Sequence, residues 1–341
     1  MNEIARIQLE RLKRILTEEE VIKIVEGKAH VALAAPTEGE KSLLLHLEDE
    51  LHKNIIGQDQ AITALAQALR RLRSGINEQT RPTSFLFLGP TGVGKTETAK
   101  TLADLYYGGN KSMIRLDMSE YSDESGEKRL LGATPGEGDG RGELTEKVRD
   151  NPNSLILLDE FEKAHPRILD LFLQVFEDGR LTDNKGKTVS FVNCIIIATS
   201  NAGSSFISDE IKNGKNIDNK KLLDYLQAQH LFKPELLNRF DEVVVFRPLV
   251  LTEINDITKL LLTDLHARMQ EQDIQLSFNE DVIAKVTKDG FDQQYGARPI
   301  KRYIQDTLED LLSQKLLSNE IKRGDKVIIG LENNAFNVKV S

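Results

Sequence analysis

Residues 89–96, Gly89-Pro90-Thr91-Gly92-Val93-Gly94-Lys95-Thr96, place a lysine and a hydroxyl after three glycines in the spacing GxxxxGK[ST]. A polyphosphate needs backbone N–H groups brought close to it, and glycine removes the side chains that would block the approach. Lys95 adds a mobile positive charge for the β and γ phosphates, and the Thr96 hydroxyl is a ligand type that suits Mg²⁺. Such a loop works only between a buried strand and a helix whose positive end faces the phosphates. The apolar run 85–88 supplies the strand, and residues 95–106 supply the helix.

A second group of candidates lies further along. Residues 155–158 are aliphatic and run into Asp159 and Glu160, so an apolar strand delivers two carboxylates to its end. Asp159 is the type of residue that holds the Mg²⁺ water shell, and Glu160 the type that activates a water as general base. The strand predicted over 193–199 ends at Ser200-Asn201, where an asparagine could orient that water or serve only as a turn residue. Ile55 and Ile56, ahead of Gly57, could line an apolar slot for a purine ring. Any hydrophobic helix entry looks alike, so both readings stand at this point.

The elements around these residues define an α/β chain. Strands are predicted near 85–88, 113–117, 155–160, 193–199 and 243–246, each separated by helical sequence, which is the pattern of a doubly wound parallel sheet of five strands. Ligands of such sheets sit at the carboxyl ends of the strands, where Gly89, Asp159 and Asn201 fall. The region 203–219 reads as a polar mobile loop, and 180–187 as a loop. After Pro248 the composition shifts: a helix over 253–269 capped by Thr252, a strand at 274–278, a helix at 280–288, a long helix after Pro299 to 317, and two terminal strands form a smaller α+β lid domain. The expected division is a helical arm at 1–50, a large nucleotide-binding domain at 51–248 and the small domain at 249–341. Helices are predicted at 4–16 and 21–26 in the arm, and a single helix at 41–52.

Composition narrows the partners. With 39% hydrophobic residues and 341 positions, two cores are expected. A net charge of −9 argues against a nucleic-acid surface or an anionic membrane. A single cysteine, Cys194, no apolar run near eighteen residues and no leader pattern fit a cytoplasmic protein without membrane span.

These stretches together resemble the AAA+ ATPases of the Clp type, in particular the second ATPase module of ClpB- and ClpC-type unfoldases. The resemblance is carried by IIGQDQAI (55–62), FLGPTGVGKTETAKTLA (87–103), RLDMSEY (115–121), LTEKVRDNPNSLILLDEFEKAHP (144–166), LQVFEDGRLTDNKGKTVSF (173–191), TSNAGS (199–204), FKPELLNRFDEVVVF (232–246) and YGARPIKRYIQ (295–305). It implies an ATPase in which 89–96 and 155–160 are the Walker A and Walker B motifs, with ATP and Mg²⁺ as substrate and metal. It also implies that Asn201 is the first sensor, Arg239 an arginine finger reaching a neighbour's nucleotide, and Arg298 a second sensor on the small domain. An arginine acting in trans implies a homo-oligomer, in this family a hexameric ring acting on protein clients. Residues 17–53 resemble the junction that enters this module in two-module proteins, so a fragment and a single-module relative both fit.

One stretch departs from the family. Where threading members carry an aromatic pore loop, this sequence has Thr134-Pro135-Gly136-Glu137-Gly138-Asp139-Gly140-Arg141-Gly142-Glu143, with no aromatic between Tyr121 and Phe161. An aromatic grips by contact area, whereas hydrated charges on glycines do not. The resemblance therefore leaves two outputs, protein remodelling with a modified grip and nucleotide-dependent assembly or scaffolding without threading. Residues 202–233 also lack the IGF or IGL tripeptide that docks partner proteases, which disfavours a ClpP-like peptidase as partner.

Overall fold

The computed structural model describes residues 38–74, 80–108, 112–133, 140–292 and 295–340. The helices expected at 4–16 and 21–26, and the glycine-loop residues 134–139, lie outside them. In chain order the elements are α1 (Glu38–Leu45), α2 (Leu47–His52), α3 (Asp59–Arg73), β1 (Thr83–Leu88), α4 (Lys95–Tyr107), β2 (Met113–Asp117), α5 (Ser125–Leu131), α6 (Glu143–Asp150), β3 (Leu155–Asp159) and α7 (Pro166–Asp178). A hairpin of β4 (Arg180–Thr182) and β5 (Thr188–Ser190) precedes β6 (Ile195–Ser200), α8 (Ser204–Lys212), α9 (Asn219–Ala228), α10 (Pro234–Leu237) and β7 (Glu242–Val245). The remainder is α11 (Leu251–Gln270), β8 (Gln275–Phe278), α12 (Glu280–Gly290), α13 (Arg298–Ile304), α14 (Asp310–Leu317), β9 (Lys326–Glu332) and β10 (Ala335–Val340).

The expected five-stranded parallel sheet is present, in the order β2-β3-β6-β1-β7. Its central strands are buried on both faces because their side chains alternate between two cores. Leu86, Leu88, Ile156, Leu158, Ile196 and Ala198 face one core, packed by Phe161, Phe172 and Phe176. Phe85, Phe87, Leu157, Ile197 and Val244 face the other, closed by Leu65, Leu69, Ala99 and Leu102 from α3 and α4. The register sets Leu88 beside Ser200 and Asp117 beside Asp159, so these strands end level with one another. A third core, built on Leu262, Val286, Ile300, Leu308 and Val327, joins α11 through β10 around a three-stranded sheet ordered β10-β9-β8.

Several expectations are corrected. The stretch 203–219 is helical in its first half, where α8 occupies Ser204–Lys212 with Ile207 fully buried, and 213–218 is irregular. The stretch 180–187 turns as the β4–β5 hairpin, closed by Asp183, whose carboxylate accepts from the N–H groups of Lys185 and Lys187 at 3.0 and 2.8 Å. The helix expected over 41–52 breaks at His46. Helix α11 starts ahead of Thr252, where the Glu253 carboxylate accepts from Val250 N at 3.0 Å. The long helix after Pro299 runs to Leu317 through a π-turn at Gln305–Glu309. Cys194 precedes β6 and is buried, which pushes its thiol up to about 12. No helix among the described residues is long and apolar enough to cross a membrane.

Candidate functional site

The level strand ends bring four candidates together. Lys95, at the first position of α4 and only 8% exposed, donates to Gly89 O at 2.6 Å, Pro90 O at 2.7 Å and Asn201 Oδ1 at 2.9 Å. Thr91 Oγ1 donates to the same Asn201 oxygen at 3.4 Å. The β1 loop and the end of β6 therefore share one polar cluster, with the ammonium already ringed by oxygens.

Asp159 joins the cluster from β3. Its Oδ1 accepts from Thr199 Oγ1 at 2.5 Å and from Thr96 Oγ1 at 3.3 Å. Its Oδ2 accepts from Arg115 Nη2 at 2.7 Å, across from β2. A hydroxyl and a carboxylate converging at a strand end form the hard oxygen donor set that Mg²⁺ prefers, and Thr96 and Asp159 fit the metal. Glu160 follows in the left-handed region at φ 55°, an unusual conformation for a side-chain-bearing residue, with its N–H donating to Thr199 Oγ1 at 3.3 Å. That twist turns Glu160 out of the strand that delivers Asp159.

Lys95 registers the surrounding charge. Burial lowers its pKa to about 8 by stripping water from the ammonium; Glu162 opposes this most, then Asp159 and Glu160, while Arg298 adds to the lowering. Arg298, the first residue of α13, is exposed, and its charge reaches Lys95 from the third core. The small elements also touch the loop directly: Ala297 N donates to Gly92 O at 3.1 Å. Gly92 has φ 72°, and a Cβ there would lie 2.0 Å from Tyr295 O, so any side chain would push the two apart.

If the charged Lys95 is what binds phosphate, nucleotide affinity falls as pH rises through 8. The limiting slope is about tenfold per pH unit for one linked proton. Calorimetry with ADP between pH 7 and 9, in buffers of different ionisation enthalpy, should show proton uptake on binding above pH 8. A pH-independent affinity would contradict it.

Other candidates are placed elsewhere. Ile55 is buried and Ile56 half-buried in the turn before α3. A cavity of about 320 Å³ lies nearby, lined by Gln58, Ala61, Ile217, Val245 and Arg247 among others, but neither isoleucine nor any phosphate-loop residue lines it. Arg239 is half-exposed and its guanidinium pairs with Glu177; among the described residues it makes no hydrogen bond or ion pair with Asp159 or Asn201. Its backbone is fixed, however. Arg81 Nη1 and Ser84 Oγ donate to its carbonyl at 3.2 and 3.3 Å, and Asp241 accepts from Arg81 Nη2 at 2.7 Å, Ser84 N at 2.8 Å and Ser84 Oγ at 3.0 Å. Asp241→Ala leaves the buried Ser84 N–H without its acceptor and removes the Arg81 ion pair, and is expected to lower stability by about 1–3 kcal/mol. Urea denaturation checks this; an unchanged midpoint would contradict it.

Two residues here escaped sequence reasoning. Glu162 Oε1 accepts from Asn201 N at 3.1 Å, fixing the asparagine that meets Lys95. Its Oε2 is buried with no hydrogen-bond partner among the described residues. A third acid two positions after Glu160 was the available signal. Arg115 was the other, visible only as a cation in a strand level with Asp159.

Fold and site define a AAA+ nucleotide-binding module followed by its small domain. Residues 80–243 match the family described as AAA domain (Cdc48 subfamily), and residues 249–329 match the C-terminal, D2-small domain, of ClpB protein. The chain belongs to the AAA+ ATPases of the Clp type. Among its relatives, the Chaperone protein ClpB of Meiothermus ruber is 46% identical over 325 residues, which is 94% of this chain and 38% of that protein. The Negative regulator of genetic competence ClpC/MecB of Bacillus subtilis (strain 168) is 42% identical over 339 residues, 96% of this chain and 42% of that protein. The ATP-dependent Clp protease ATP-binding subunit ClpA homolog of Pyropia yezoensis is 42% identical over 338 residues, 94% and 40% of the two chains. This chain thus spans 38 to 42% of the length of these relatives.

Proposed function

We propose that this chain binds and hydrolyses ATP and uses the energy to remodel proteins within an oligomeric ring. The observation that carries the reading is the convergence of Lys95, Asp159 and Asn201 at the aligned ends of β1, β3 and β6, with Glu160 next in the chain. In this reading Gly89 to Gly94 cradle the phosphates, and Lys95 exchanges neutral carbonyl acceptors for phosphate oxygens. Thr96 and Asp159 would hold Mg²⁺, which when bound would neutralise phosphate charge. Glu160 takes a proton from the attacking water as general base, and Asn201, steadied by Glu162, orients that water. Ile55 and Ile56 bound the base, and Arg298 couples hydrolysis to movement of the small domain.

Arg239 completes the site in trans. Its carbonyl is held by Arg81 and Ser84, and its half-exposed guanidinium pairs with Glu177. A head-to-tail contact would deliver it to a neighbour's phosphates, and contacts of that kind close into rings; the family's hexamer is the form proposed. The reading divides the chain into an arm at 1–50, a large domain at 51–248 and a lid at 249–341, and places it in the cytoplasm without a ClpP-like peptidase, nucleic acid or membrane as partner.

A second reading, a scaffold ATPase that changes partner contacts without threading, is favoured by the lack of any aromatic between Tyr121 and Phe161. Comparing ATP turnover with unfolding of a tagged fluorescent protein separates the two. Remodelling predicts ATP-dependent loss of fluorescence; turnover with intact fluorescence assigns the scaffold role.

A further inference from the structure

Beneath the phosphate loop, one side chain joins three segments that are distant in sequence. Gln58 sits in the left-handed region at φ 61°, at the start of α3, and is only 2% exposed. Its Nε2 donates to Val93 O of the phosphate loop at 3.2 Å and to Arg247 O at 2.8 Å, while its Oε1 accepts from Arg247 N at 3.0 Å. A single buried amide thus holds both backbone groups of Arg247 and one carbonyl of the loop that receives phosphate.

Arg247 begins the connection between the sheet and α11. Its guanidinium binds both carboxylate oxygens of Glu253, on the first turn of α11. Just before it, Phe246 N donates to Leu88 O at 2.7 Å, and the chain runs so close under the loop that a Cβ on Gly89 would lie 2.5 Å from Phe246 O. The hinge between the two parts of the chain therefore forms the floor of the phosphate loop, with Gln58 as its fastening. Buried and fully engaged, that amide has no water to replace a lost partner, so a shift of Val93 must move Arg247 or break a bond.

We propose that Gln58 is a positioning residue that transmits occupancy of the phosphate loop to the hinge at 246–253, and so to the small domain. The proposal rests on the reading that 89–96 binds nucleotide. Coupling in this sense requires that the two segments respond together and separate when the link is removed.

Hydrogen exchange followed by mass spectrometry, on the full chain with and without saturating ADP, reads both segments in the same sample. The parent chain should show ADP-dependent protection in peptides covering 89–96 and 246–253. In Gln58→Met, which keeps the side-chain length and removes all three hydrogen bonds, the loop should remain protected while the hinge loses its ADP-dependent protection by about fivefold. Gln58→Asn, whose shorter amide cannot span Val93 and Arg247 together, should behave alike and serves if the methionine variant fails to fold. A hinge that responds to ADP as fully in these variants as in the parent overturns the proposal, and so does a parent whose loop responds while its hinge does not. A parent in which neither stretch responds overturns both the coupling and the nucleotide reading beneath it.

Discussion

Glu160→Gln should leave nucleotide binding intact and lower ATP turnover by roughly 10²- to 10⁴-fold, the usual contribution of a general base. The side chain keeps its size and its hydrogen-bonding reach but can no longer accept a proton. Binding should survive because the contacts around Lys95 do not involve Glu160: the ammonium is held by Gly89 O, Pro90 O and Asn201 Oδ1. The left-handed backbone at Glu160 is fixed by its N–H to Thr199, which the substitution does not touch. A phosphate-release assay beside a fluorescent-ADP titration checks the split, and retained full turnover would remove Glu160 from the role proposed for it.

Arg239→Ala is expected to have an effect as large, about 10³- to 10⁵-fold on turnover, the range for an arginine that meets transition-state charge. Its local cost should be small, since the side chain is half-exposed and its ion pair with Glu177 is a surface pair of little worth. The contrast between a minor stability change and a major loss of turnover distinguishes a finger from a structural arginine. Equal turnover in Arg239→Ala and the parent would show that no neighbour uses it.

Much of this was legible in the sequence, for a physical reason. Strands β1, β3 and β6 are buried on both faces, so each carries an apolar run, and the chemistry follows it: the glycine loop directly after Leu88, Asp159 directly after Leu158, and Asn201 three residues after Ala198. What escaped lies where local pattern and tertiary partner disagree. Helix α8 looked like a loop because its polar surface outweighs Ile207, the one side chain the core takes fully. The β4–β5 hairpin is too short, three residues a strand, to show alternation, and it turns on the capping by Asp183.

Glu162 and Gln58 escaped for a different reason. Their partners Asn201 and Arg247 lie 39 and 189 positions away, so nothing local names the residue each one holds. Arg239 was read through family resemblance; in the proposed reading the surface that completes its role belongs to a second copy.

The central claim is that the ATP site is shared between subunits, and mixing two inactive variants tests it most directly. Glu160→Gln subunits retain Arg239, and Arg239→Ala subunits retain Glu160, so a mixed ring places an intact finger against an intact site at roughly a quarter of its interfaces under random head-to-tail mixing. The account predicts that the equimolar mixture regains ATP turnover far above that of either variant alone. A mixture no more active than its components, although the two are shown to co-assemble, would contradict it.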